Sequence, residues 1–493
     1  MMGRKPHDPA MIDHVRKFML VCGLALSASA CAGLPDGADK LAACEYLVDR
    51  VDQRIADREV GDAEASRIEG FPTLRINRFL ASFRNDVGEQ AVFAEWVRRL
   101  RALDREGRQV ELQNLGAANI TASIDDCAEL LLETGLQDPG FKERLIAAAH
   151  APRHYDDAAR AVGLYPLTHI GVALGFDRWK ADNLPAFEQN AGIWASAETR
   201  YALTDGALTS LDGLATLIAL SAQNDLDVPD LEGSVLVSMA TRYAPVFAVA
   251  EATGADQIGR PFWLGDEAAP RTDPKDPTVY VRFAHTRMDE EVLPQLVYTV
   301  WFPARPTEGP FDILGGVLDG LVWRVTLDRD GKPLIYDSFH ACGCYHLFFP
   351  ADGVARVPVA EDDDLREEPL TLQNAPTLKD DERIVLHIAP GSHYLRGLST
   401  TSDWKAATPL SVIDEHAAPD FGLRSLRRED GKRRSLYGAD GIVQGTERTE
   451  RFILWPMGIS SPGAMRQWGT HATAFVGERH ADAPFLFDEA FQR

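Results

Sequence analysis

Gln295-Leu-Val-Tyr-Thr-Val-Trp-Phe302 decides the fold. β-Branched and aromatic side chains make up most of it, and such residues favour a pleated, partly buried strand. Four further runs read the same way: Val279–Phe283, Leu321–Leu327, Leu334–Phe339 and Ile384–Ile388. Asp328-Arg-Asp-Gly331 separates two of them and has the composition of a hairpin turn. Its Asp-x-Asp-Gly pattern lacks the closing acidic residue that a calcium loop needs. The second half, about 278–485, is therefore expected to be a β-rich domain with long loops, Ala360–Glu368 being a strongly acidic one.

Upstream the period changes. Leu41, Cys44, Leu47, Val48 and Val51 recur at helical spacing, as do Phe93, Trp96, Val97 and Leu100 in a charge-dense segment. Ile124, Cys127, Leu130 and Leu131 mark another helix, and Asp138-Pro139 opens one over Phe141–Ala149. Ala215–Leu220 and Val235–Ala250 add apolar helical runs. Gly70–Phe79 and Gly163–His169 mix aromatics, Pro and polar donors; they read as connecting segments packed on the core, or as the lining of a cleft. Residues 36–255 are thus expected to be mainly helical, and 256–277, with three prolines in its second half, to be a linker. The fold class is α+β: a helical N-terminal region followed by a β-rich C-terminal domain.

The N-terminus sets the expected compartment. Arg4, Lys5, Arg16 and Lys17 precede the apolar run Phe18–Leu26, which is too short to span a bilayer. Small residues follow, Ser27-Ala-Ser-Ala-Cys31. This order is that of an export signal over residues 1–30. Ala28-Ser29-Ala30-Cys31 resembles the bacterial lipobox, with Ala28 standing where Leu is usual. The resemblance covers the first 31 residues only. It implies lipidation of Cys31, a flexible stretch to residue 35, and attachment to the periplasmic face of the outer membrane; cleavage after Ala30 to a soluble periplasmic protein is the alternative. No family resemblance extends to the rest of the chain.

Composition narrows the partners. The net charge is −23, and removal of residues 1–30 takes away those four basic residues against Asp8 and Asp13, leaving −25. Such a chain is not expected to bind nucleic acid through a general basic surface. The expected partner is the membrane, through the lipid. In an oxidising compartment the remaining cysteines are Cys44, Cys127, Cys342 and Cys344. The economical pairing joins Cys44 to Cys127, both in apparent helices of one region, as a structural staple.

His340-Ala-Cys-Gly-Cys-Tyr-His346 concentrates thiols and imidazoles as no other segment does. In an extended strand residues two apart are separated by about 6.6 Å, so His340 and His346 would lie about 20 Å apart and could not share one metal. Gly343 allows the backbone to fold the two cysteines together. Three uses remain open: a strained Cys342–Cys344 disulfide, a zinc or copper site, or a thiolate nucleophile beside a histidine. For the metal, His340, Cys342, Cys344 and His346 are the local candidates, with His387 and His393 supplying distant ligands. The loop Trp455–His471, rich in Trp, Met and Gly, makes a candidate ligand wall. His285, Arg466, Trp468 and His471 are the expected ligand-binding residues, Arg466 holding an anionic group. Arg424–Arg434 is a basic run inside an acidic chain, a solvated face or an anionic-partner patch.

The chain lacks a P-loop, a dinucleotide glycine fingerprint, His-Glu-x-x-His and Gly-x-Ser-x-Gly. The expectation is an exported, lipid-anchored envelope protein with a binding or structural role. A periplasmic hydrolase using a metal or thiolate at Cys342/Cys344 is the alternative.

Overall fold

Seven strands form the central sheet of the computed structural model, which describes residues 38–188, 198–205, 211–357, 366–416 and 422–493. The export signal, Cys31 and most of the acidic 360–368 loop lie outside the described residues. The architecture is α+β, with helices concentrated in the N-terminal half and strands in the C-terminal half. No helix among the described residues is long and apolar enough to cross a membrane.

Before the sheets come helices α1 (Ala38–Asp57), α2 (Gln90–Asn114), α3 (Thr121–Leu136), α4 (Phe141–Ala148) and α5 (Tyr165–Asn183). Cys44 and Cys127 are joined at 2.04 Å and staple α1 to α3 inside a small apolar cluster with Val48, Val51, Leu112 and Ile124. The charge-dense α2 does not turn all its charges to water. Arg75, from strand β2 (Phe71–Ile76), is buried between Asp104 at 3.3 Å and Glu111 at 2.6 Å, and Arg108 also reaches Asp104. β2 pairs with β1 (Ser66–Ile68). Gly70–Phe79 is thus mostly strand, and Phe71 packs edge-on against Phe141 at 5.1 Å.

The run Val235–Ala250 is two elements rather than one helix. Helix α7 (Gly233–Tyr243), which follows α6 (Leu211–Ser221), stops before Ala244-Pro245, and strand β4 (Val246–Ala250) begins. Pro245 has no N–H to donate and disfavours helical geometry at Ala244, whose ψ is 130°. β4 and β3 (Glu198–Ala202) lie in the segment expected to be mainly helical, yet β4 pairs in parallel with a strand more than 130 residues later.

The remaining strands of the two main sheets are β5 (Thr278–Met288), β6 (Glu291–Arg305), β7 (Gly316–Leu327), β8 (Pro333–His340), β9 (Leu347–Pro350), β10 (Leu370–Thr371), β11 (Arg383–Ile388), β12 (Leu395–Thr401), β13 (Thr408–Pro409) and β14 (Ser411–Asp414), and the segment 256–277 expected to be a linker carries a short hairpin of its own, Arg260–Phe262 paired with Arg271–Asp273. The seven-stranded sheet runs β10-β9-β8-β7-β6-β5-β14, antiparallel from β5 to β9 and parallel at both edges. The five-stranded sheet runs β12-β11-β4-β3-β13. One core joins the two sheets, taking Tyr298, Val300, Phe302, Trp323 and Val325 from the larger and Phe247, Val249, Leu386 and Ile388 from the smaller, with Leu236 and Met239 of α7. The opposite face of the large sheet, with Tyr280, Trp301, Val322 and Phe339, is covered by Leu423, Leu436, Val443 and Met465 of the C-terminal segment. Two buried faces explain why these strands read as nearly continuous apolar runs.

Candidate functional site

Leu334–Phe349 is a hairpin, not one strand. The β8–β9 register pairs Ser338 with Leu347. The His340 amide donates to the Cys344 carbonyl at 3.0 Å, and the Gly343 amide to the His340 carbonyl at 2.7 Å. Gly343 makes this turn possible: its φ is +93°, and a Cβ there would lie 2.5 Å from the Ala472 carbonyl oxygen. Both cysteines are free; Cys342 is buried and Cys344 is partly exposed. The pair is therefore not a disulfide. The Cys344 amide donates to Cys342 Sγ at 3.4 Å.

Continuing the register places His340 opposite Tyr345 and His346 opposite Phe339. Cross-strand partners share a face and neighbours alternate, so the two histidines leave the hairpin on opposite sides. His346 Nε2 meets Asp337 Oδ2 at 2.8 Å, and Arg324 clamps the same carboxylate through two contacts of 2.8 Å. Burial pushes the His346 imidazole down to about 4, against Asp337. Burial works to raise the Asp337 carboxyl, but Arg324 and His346 hold it below its ordinary value. Arg324 and His346 together thus satisfy Asp337, while His346 Nδ1 is buried without a hydrogen-bond partner.

On the other face a chain of four buried groups alternates acid and imidazole. His340 Nδ1 lies 3.5 Å from Asp319 Oδ1, Asp319 Oδ2 lies 2.7 Å from His393 Nδ1, and His393 Nε2 lies 3.4 Å from Asp256 Oδ1. His393 stacks on Phe302 with ring centres 4.0 Å apart. Burial pulls the His393 pKa down, but Asp256 and Asp319 raise it above its ordinary value; burial likewise opposes, and the two imidazoles enforce, a strongly lowered Asp319. His340 ends the chain: its Nε2 is buried without a hydrogen-bond partner, and its ring lies 5.1 Å from Tyr345 and 5.7 Å from Tyr394. The two tyrosine hydroxyls touch at 2.8 Å, Arg305 donates to Tyr394 at 3.0 Å, and Trp179 of α5 packs on both rings.

Glu450, whose amide donates to the Ile313 carbonyl at 3.1 Å, is a further buried carboxyl. Burial pushes its carboxyl up to about 7, despite the charges of Arg305 and Arg448 and helped by Asp312. Arg448 spends its donors on the backbone carbonyls of Val317, at 2.9 Å, and Leu318. Arg466 does the same with Ser460 and Ser461, the latter at 3.0 Å, leaving Nε unpartnered beside the two thiols. Among the described residues no carboxylate lies within ion-pair distance of Arg305, Arg448 or Arg466. Backbone strain collects here as well. Leu318, Tyr345, His393 and Ser461, with φ from 47° to 59°, are four of the nine non-glycine residues at positive φ among the described residues. Each such residue costs roughly 1–3 kcal/mol, and strain of this kind clusters at functional sites.

The expected metal candidates do not converge. His346 is on the far face of the hairpin. His387 belongs to β11, where it contacts Glu198 at 2.9 Å and Ser399 at 2.7 Å. His393 is engaged by the two aspartates. Of the expected ligand-wall residues, Arg466 and His471 reach the hairpin, His471 Nε2 lying 3.1 Å from the Ala341 carbonyl oxygen. Burial lowers His471 to about 3. Trp468 and His285 instead line a separate cavity of about 300 Å³. There Trp468 faces Arg282 and His285 contacts the Pro229 carbonyl oxygen at 2.6 Å. In the same cavity Glu64, Glu106 and His416 offer ligand atoms within 4.8 Å of one another, but Arg282 and Arg424 already pair with the two carboxylates. Arg424 of the basic run is thus committed to an internal ion-pair network.

Asp256, Arg305, Asp319, Tyr394, Arg448 and Glu450 were not singled out by sequence motifs, because they come from separate loops and strand ends. Comparison with family models, curated proteins and solved structures finds no match.

Proposed function

We propose that this is an exported, lipid-anchored cell-envelope protein that binds a small anionic ligand at the tip of the β8–β9 hairpin. One observation carries the binding half of the proposal: among the described residues Arg305, Arg448 and Arg466 have no carboxylate within ion-pair distance, their donors going to the Tyr394 hydroxyl and to backbone carbonyls. A buried, unpaired charge is costly, and guanidinium groups are suited to holding carboxylate or phosphate. The anchoring half rests on the basic, apolar and small segments that end at Cys31.

Thermal unfolding in inorganic phosphate, acetate and succinate tests the binding. At least one anion raises Tm saturably, and Arg466→Met removes that rise. A Tm that follows ionic strength alone for every anion refutes the site. Fractionation tests the anchor: Cys31→Ser moves the protein from the membrane to the soluble fraction, and a variant that stays with the membrane refutes lipidation at Cys31.

A periplasmic hydrolase is the second reading, favoured by Glu450, whose carboxyl near 7 suits general acid–base work. The thiolate form is weaker, since hydrogen bonding to Cys342 and burial push the Cys344 thiol well up. The metal form is weaker too, since the candidate ligands face different sides of the sheets.

A further inference from the structure

We propose that Cys342 and Cys344 form a redox-active dithiol that exchanges with small-molecule or peptide disulfides, Cys344 making the first contact. The geometry supplies the parts. The two cysteines share one tight turn, in which the Cys344 amide donates to Cys342 Sγ at 3.4 Å and the His340 amide to the Cys344 carbonyl at 3.0 Å, so the chain need not move far to join the sulfurs. Cys344 is partly exposed while Cys342 lies behind it, an arrangement of an outer, attacking thiol and an inner, resolving one. The turn itself is unusual: Gly343 and Tyr345 both have positive φ, and the Ala341 carbonyl is held by the Arg466 amide at 2.8 Å. Elsewhere in the chain the oxidisable pair Cys44–Cys127 is closed, whereas this adjacent pair is open. A disulfide across a Cys-Gly-Cys turn closes a small, strained ring, and strain makes such a bond more readily reduced.

The exchange balances in two steps. Cys344 attacks one sulfur of R–S–S–R′, forming a Cys344–S–S–R bond and releasing R′SH; the proton lost by Cys344 ends on the departing sulfur. Cys342 then attacks Cys344 Sγ, releasing RSH and closing the Cys342–Cys344 disulfide. Two electrons pass from the dithiol to the partner, which leaves as two thiols. The reverse sequence donates the disulfide. This proposal does not depend on the anion site.

The test equilibrates the purified, folded protein in glutathione buffers from fully reduced to fully oxidised, followed by acid quench, alkylation and mass spectrometry of the peptide carrying both cysteines. The expected result is a single two-electron transition: two alkyl tags when reduced and none when oxidised, with no glutathione adduct and with Cys44–Cys127 unchanged. Cys342→Ser is expected to trap glutathione on Cys344, because the resolving thiol is gone. A wild-type peptide that keeps both tags throughout, or that stops at a glutathione adduct, overturns the proposal whatever the variant does. Glutathione trapped on Cys342 in Cys344→Ser, with none on Cys344 in Cys342→Ser, overturns the assigned order of attack.

Discussion

Replacing Asp319 by Asn removes one charge from the Asp256–His393–Asp319–His340 chain while keeping its volume. At the observed 2.7 Å, the attraction between Asp319 and a protonated His393 is about 6 kcal/mol at an effective dielectric near 20. Relief of the carboxylate's own desolvation offsets part of that, and Asn still offers one acceptor. Removing one partner of a buried pair usually costs 3–5 kcal/mol or so, so the isosteric change is expected to cost about 2–4 kcal/mol when His393 is charged. The cost has a pH signature. Folding raises the His393 pKa, so its contribution is complete below the unfolded value of about 6.5 and is lost as pH climbs through the folded value. Asp319, whose pKa is strongly lowered, stays ionised across this window. The groups facing it are His340, His393 and the Gly320 amide at 2.9 Å, with the Arg305 guanidinium beyond the tyrosines. Urea unfolding followed by tryptophan fluorescence, at pH 6 and pH 9 with a shared slope, reads the effect. The loss should be about 3 kcal/mol at pH 6 and smaller at pH 9, because rising pH draws the proton off His393 and leaves less charge for Asp319 to hold. Equal losses at the two pH values, or none at pH 6, would show that His393 is not held charged by this carboxylate.

Two further perturbations separate neighbouring causes. Gly343→Ala combines a positive φ with a Cβ 2.5 Å from the Ala472 oxygen, whereas Gly353 has nearly the same φ, +90°, and open space around it. Gly353→Ala should therefore cost about 1 kcal/mol and Gly343→Ala at least 2 kcal/mol more, in urea unfolding; equal costs would mean that the turn yields to the contact. The Cys44→Ala, Cys127→Ala double variant opens a cross-link between residues 83 apart, and should lose about 4–5 kcal/mol by the chain-entropy account. A loss under about 1 kcal/mol would place the stapling of α1 to α3 in the apolar cluster instead.

The strands were legible because their apolar content is set locally. Val279–Phe283, Gln295–Phe302, Leu321–Leu327, Leu334–Phe339 and Ile384–Ile388 all fall within observed strands, which run longer at one or both ends. Polar residues carry part of the extension: Thr286, beyond the apolar run Val279–Phe283, reaches the Pro484 carbonyl oxygen at 2.9 Å. What failed was any inference that needs non-local pairing. Val246–Ala250 is apolar enough for a buried helix or a buried strand, and its partner strand β11 lies far along the chain. The stop at Ala244-Pro245 was the available local signal. The hairpin at 340–346 failed differently. Period two continues on both sides of the turn, so the pattern reads as unbroken, and only Gly343 marks the reversal.

The site was half legible, and the missing half has a physical signature. Thiols and imidazoles stand out by type, which is how His340, Cys342, Cys344 and His393 were found. Asp319 and Asp337 do not, since aspartate is common. Each nevertheless sits in a strand whose neighbours are apolar, Gly-Val-Leu-Asp319-Gly and Leu-Ile-Tyr-Asp337-Ser. A carboxylate carried into a two-sided core must find a cation or donors there, because burying it alone costs far more than a strand's packing returns. That requirement could have been posed from sequence: two buried acids need partners, and the basic residues of the same hairpins away from the exposed Asp328–Lys332 turn are Arg324, His340 and His346. Arg324 and His346 satisfy Asp337 together, which leaves His340 for Asp319 and brings in His393 from a distant loop. The same requirement, reversed, singles out Arg305, Arg448 and Arg466, which hydrogen-bond to a hydroxyl or to backbone carbonyls but pair with no carboxylate among the described residues.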